Sequence, residues 1–162
     1  MRTFFVTMLS VLGLLVVQSV LVPIIGIRGI VPDLLLIYMV IWSSGRFRVQ
    51  AVALGFWGGV AQDLATNSVL GLHALSKSLG CALAASWKGR FSDRHPLAIG
   101  FLLTGASLVQ ETLVCAMAAR QGSAGFPVLM LRYGFPTVFA TVVLGTGVAG
   151  AVYFWTKRRK RV

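Results

Sequence analysis

Four ionisable residues interrupt the apolar stretches of this chain: Asp63, His73, Lys77 and Glu111. An ion in hydrocarbon is costly unless it is paired or wet, so such residues mark either a polar path or a junction between helices. His73 and Lys77 stand four residues apart and share one face of a helix. Gln62 and Gln110 directly precede the two acids. In one reading the four groups line a path for protons or a substrate. In the other, Lys77 pairs with Glu111 or Asp63 and ties helices together. Lys77 and Glu111 lie deeper in their segments than Asp63 and His73, which fall near an interface, so Lys77 with Glu111 is the expected pair. The sequence carries no metal-ligand spacing, nucleophile elbow or phosphate loop. It therefore predicts no catalysis, no cofactor and no metal. Cys81 and Cys115 lie inside apolar runs and read as packing residues.

The elements that must position these groups follow from composition. The chain has 162 residues, 57% hydrophobic and 12% charged, with a mean hydropathy of +0.84. A soluble domain carries about 25% charged residues, because its surface must face water. Half that share, with long uncharged runs, points to lipid as the solvent. The expected architecture is an all-α integral membrane protein, a six-transmembrane-helix bundle forming a single domain over 1–162. The predicted helices cover about 4–22, 30–43, 51–65, 69–87, 97–119 and 137–155. The first run ends without a small-residue cleavage site, so it reads as a retained helix rather than a signal peptide.

Punctuation refines this map. Pro32 and Asp33 open the second helix, where proline is tolerated and an acid faces the positive dipole end. Thr66-Asn67-Ser68 leaves room only for a tight antiparallel hairpin between the third and fourth helices. Pro127 and Pro136 bracket 126–135, which reads as a short interfacial helix ahead of the sixth span. Gly55 and Gly59 (with Gly58 beside them), Gly80 and Ala84, and Gly147 and Ala151 are small residues at four-residue spacing. Such ridges let helix backbones approach closely, within the bundle or against a partner's transmembrane helix.

Charge sets the orientation. Fifteen Lys and Arg stand against four Asp and Glu, net +11. The cations cluster at the ends of apolar runs, which argues for membrane topology over nucleic acid. One side would hold Arg2, Arg46, Arg48, Lys88, Arg90, Arg94 and the tail cations Lys157 to Arg161, eleven in all. The other side would hold at most Arg28, Arg120 and Arg132. The positive-inside bias then makes both termini cytoplasmic, with 156–162 a basic tail that anchors the chain or meets anionic lipid or an acidic partner. Trp42, Trp87, Tyr153 and Trp155 fall near helix ends on that same side, where amphipathic rings prefer the interface.

Three motifs occur in order within 31–75. They are Val31-Pro32-Asp33-Leu34, then Gly55-Phe56-Trp57-Gly58-Gly59 with Asp63 following, then Leu70-Gly71-Leu72-His73-Ala74-Leu75. This series resembles the rod-shape-determining MreD family of bacteria. The resemblance implies a non-catalytic subunit of the cell-elongation (rod) complex in the cytoplasmic membrane, needed for cell shape and for placing peptidoglycan synthesis. It implies an MreC-like bitopic membrane protein as partner. Through that partner it implies MreB-like filaments, a RodA-like glycosyltransferase and a penicillin-binding transpeptidase. It also implies a fold similar to the substrate-binding subunits of energy-coupling-factor transporters.

Carried onto this chain, the motif positions are Pro32, Asp33, Gly55, Phe56, Gly58, Gly59, Asp63, Gly71 and His73, with Lys77 and Glu111 added from the intramembrane charges. The glycines would allow a close helix crossing. Asp63 would accept hydrogen bonds from N–H groups of the Thr66–Gly71 turn or from His73. The competing reading is a small-molecule-binding subunit of a transporter. Such subunits dock their coupling partner through an Ala-x-x-x-Ala face on the first helix, and Met8 to Leu15 contains no such pair.

Overall fold

The computed structural model describes residues 2–25, 31–44, 46–66, 69–87, 96–122 and 124–159. Arg28, Gly45, Asn67, Ser68, Lys88, Arg90, Arg94 and Lys160 to Val162, several of which the orientation argument used, lie outside them. Among the described residues there is helix and no strand. The elements are α1 (Arg2–Ile25), α2 (Leu34–Ser43), α3 (Arg48–Thr66), α4 (Leu72–Ser86), α5 (Pro96–Arg120), α6 (Phe126–Leu129) and α7 (Phe135–Arg159). A π-helical turn (Met130–Gly134) joins α6 to α7 without a break.

That junction corrects the expectation of a separate interfacial helix over 126–135. Pro136 cannot donate to the carbonyl four residues back, and its ring crowds that carbonyl. The chain widens one turn earlier, with the Phe135 N–H donating to Met130 O, and the helix continues. The rod from Phe126 to Trp155 and the helix Pro96–Arg120 are each long and apolar enough to cross a membrane. Shorter apolar helices cover Val6–Val20 and Leu34–Ser43.

The central element is the short helix α2, which packs against α1, α3, α4, α5 and α7. Its ten residues rise about 15 Å, half the roughly 30 Å of a bilayer core. No residue of α2 is exposed. A helix apolar all round must be covered all round, and α2 divides the core into two. Leu36, Ile37 and Val40 pack with Ala84, Ile99, Leu102, Leu103, Ala106 and Ala149. Leu35 and Met39 pack with Val11, Ala51, Leu54, Cys81 and Ala85. Thus α4, α5 and α7 close one flank, and α1, α3 and α4 the other.

The α3–α4 hairpin is the tightest crossing, and glycine makes it. A Cβ on Gly59 would stand 2.4 Å from Ala74 Cα and His73 O, and one on Gly55 would stand 2.6 Å from Lys77 O. Both clashes are with backbone, so nothing can swing aside. Gly58 faces the other way, where a Cβ would strike Met39 Cε, the end of a flexible side chain. Gly80 meets Ala106 of α5 across the next crossing. Gly147 has nothing within 4 Å, and with Ala151 it lies on the exposed face of α7.

Candidate functional site

Lys77 is fully buried on α4. Its Nζ donates to Asp33 Oδ2, and to Gln110 Oε1 at 3.1 Å. Gln110 Nε2 in turn donates to Asp33 Oδ2 at 2.8 Å, which closes a triangle between the start of α2, α4 and α5. This corrects the expected pairing of Lys77 with Glu111 or Asp63. Glu111 follows Gln110 in sequence, about 100° further round a helix of 3.6 residues per turn. It therefore points elsewhere.

Asp33 has a second task. Its Oδ1 accepts the Leu36 N–H at 2.9 Å, capping α2, as Pro32 and Asp33 led one to expect of a helix start. Its own N–H donates to Thr141 Oγ1 of α7 at 3.1 Å, and the Leu35 N–H donates to Gln18 Oε1 of α1 at 3.1 Å. Pro32 is half-buried just ahead. The N-terminus of α2 ends inside protein, where no bulk water satisfies its free N–H groups, and side chains from two other helices take them up. The first turn of α2 is thereby tied to α1, α4, α5 and α7.

Asp63 does the same work for α4. Gly71, with φ of 95°, occupies the cap position and has no side chain to offer. Asp63, buried at the end of α3, reaches across the hairpin instead. It accepts from Gly71 N at 2.9 Å, His73 N at 3.0 Å and Ala74 N at 3.3 Å. His73 Nδ1 lies 2.8 Å from Asp63 Oδ1. A carboxylate fits here because the free N–H groups and the helix dipole both present positive charge. Phe56 makes no part of either cluster; it points outward, edge-on to Trp57 at 5.5 Å between ring centres.

Both clusters border one cavity of about 230 Å³, half open to the outside. Its polar lining includes Gln18, Asp33, Gln62, His73, Gln110 and Glu111, with the hydroxyls of Ser19 and Thr66. Gln62 is 8% exposed, and its Oε1 has no hydrogen-bond partner. The cavity lies beside the end of α3, the beginnings of α2 and α4, the later half of α1 and the middle of α5. That is the end of the bundle away from Arg46, Arg48 and Lys157. Of the residues singled out in the sequence, Asp33, Asp63, His73, Lys77 and Glu111 converge on this end. Gly55, Gly58, Gly59 and Gly71 shape the hairpin that carries them. Gln18 and Thr141 were not legible: an isolated amide or hydroxyl in an apolar helix has no partner until the fold supplies one.

A family model described as rod shape-determining protein MreD matches residues 1–157 of the chain. Comparison with curated proteins and with solved structures gives no match.

Proposed function

Because this chain belongs to the rod shape-determining protein MreD family, we propose that it is a non-catalytic membrane scaffold of the bacterial cell-elongation complex. In this reading it docks an MreC-type bitopic partner, and through it the filament and peptidoglycan-synthesis machinery. The observation that carries the reading is the half-open cavity at one end of a bundle whose helices are cross-tied around it. Rigid walls around an opening suit recognition of a protruding segment.

The bilayer encloses the rest. Large apolar side chains are exposed on every outer helix, among them Leu9 and Val16 on α1, Leu75 and Leu79 on α4, Phe101 on α5 and Phe139 and Phe154 on α7. Lipid is the solvent that such a surface suits. All six helical rods then belong to the membrane domain. The short α2 is completed by the extended 31–33 segment, which is sheltered by its neighbours. The basic end faces the cytoplasm, where Arg46 lies 4.8 Å over the Trp42 ring and Lys157 lies 5.7 Å over that of Tyr153. The cavity end faces outward.

A transporter subunit is the competing assignment. The cavity, about 230 Å³, falls below the roughly 300–1,000 Å³ that enclose a drug-sized ligand. It suits a side chain better than a vitamin. Purification in mild detergent tests the assignment. An MreC-type protein is expected to come down with this chain in stoichiometric amount, and recovery of a vitamin-transport ATPase complex in its place would overturn the scaffold reading.

A further inference from the structure

Hydrogen bonding around the cavity leaves a buried acceptor over. Several of the donors that line it are already engaged. Ser19 Oγ donates to Leu15 O at 2.9 Å, Thr66 Oγ1 to Gln62 O at 2.8 Å, and Gln110 Nε2 to Asp33 at 2.8 Å. The ammonium of Lys77 is turned away into its triangle with Asp33 and Gln110. One buried acceptor in the lining stands unpaired. Gln62 Oε1 is buried and has no partner, and buried acceptors seldom stay that way. Glu111 contributes a half-buried carboxyl group to the same wall. The charge at this end points the same way. Asp33, Asp63 and Glu111 bring three carboxyl groups to this end of the bundle, and Lys77 brings one ammonium.

We propose that the cavity is a receptor for a single organic cation, an alkylammonium or guanidinium group, with Glu111 as its counter-ion and Gln62 Oε1 as a further acceptor. Such a group is all donor and no acceptor, which complements this lining, and charge-assisted bonds to a carboxylate are the strong ones. An anion would leave Gln62 Oε1 and Glu111 facing another acceptor, and a neutral donor would bring no charge to meet the Glu111 carboxylate. The inference rests on the reading of this cavity as the docking end, but its test uses no partner, so the two can fail separately.

The experiment uses the full chain in nanodiscs of phosphatidylglycerol, which offers no ammonium of its own. The probes are butylguanidinium and its neutral isostere butylurea, read by the melting temperature of the protein. Butylguanidinium is expected to give a saturable rise, butylurea none, and Glu111→Gln at least a tenfold loss of apparent affinity. Gln62→Leu is expected to weaken binding in the same direction and serves if Glu111→Gln does not fold. Equal shifts with both probes, no shift with either, or undiminished binding in both variants would overturn the proposal. Adding phosphatidylethanolamine identifies the natural source. Competition assigns the cation to that lipid headgroup, and unchanged affinity excludes it as the source. Retained co-purification of the partner alongside absent cation binding would remove this inference and leave the scaffold assignment standing.

Discussion

Lys77 of α4 and Asp33 at the head of α2 form an ion pair that is buried on both sides, with side-chain exposures of 0% and 6%. The pair does not stand alone, because Gln110 binds both partners and Leu36 takes the other carboxylate oxygen. A buried pair adds little over a well-packed apolar substitute, but removing one member strands the other, at about 3–5 kcal/mol. Its value here lies in register: it fixes where the short α2 stops along α4 and α5.

Removing Lys77 tests that claim. Lys77→Met is expected to lower the melting temperature strongly, by an amount equivalent to about 3 kcal/mol. Adding Asp33→Asn is expected to restore a large part, since Asn still caps the helix. Adding Glu111→Gln is expected to restore nothing. Rescue by Glu111→Gln and not by Asp33→Asn would show that the pairing lies elsewhere.

Asp63 is expected to matter as a cap supplied from a neighbouring helix. Asp63→Ala strips the Gly71, His73 and Ala74 N–H groups of their acceptor. A loss of roughly 2 kcal/mol follows from stranding buried donors. Amide exchange at those three positions should rise more than at the middle of α4. Uniform protection along α4 in the variant would refute the assignment.

The hairpin glycines should separate by what lies opposite. Gly55→Ala and Gly59→Ala drive a methyl into the backbone of α4 and should cost about 1–3 kcal/mol or prevent assembly. Gly58→Ala should cost less, because Met39 can turn its terminal methyl away. Gly147→Ala, with open space around it, should stay within about 0.5 kcal/mol of the parent. Size-exclusion profiles of fluorescent fusions rank the four variants, and a large defect in Gly147→Ala alone would point to a helix partner on α7.

Orientation has its own readout. A reporter active only in the periplasm, fused after Val162, should be silent, and one fused near Gly122 should be active. The opposite pattern would invert the bundle and put the cavity on the cytoplasmic side.

Sequence by itself determined the class of this molecule and its helical segments, because hydrocarbon leaves a chain few choices: apolar residues face out and every backbone group must bond within a helix. It also determined the local devices. Asp33 after Pro32 announces a helix start, and Asp63 stands eight residues before Gly71, within reach of the hairpin it caps. The partner of Lys77 was a different matter. The sequence offered Glu111 and Asp63 as partners of that ammonium, and depth along a segment favoured Glu111. The tertiary structure chose Asp33, because α2 begins deep inside the bundle rather than at its surface, and only packing on all sides puts a helix start there. The same burial turned Gln110 into a ligand of the pair and left its neighbour Glu111 facing the cavity. Which side of a helix a polar residue presents is decided by what surrounds that helix, and no one-dimensional pattern carries that information.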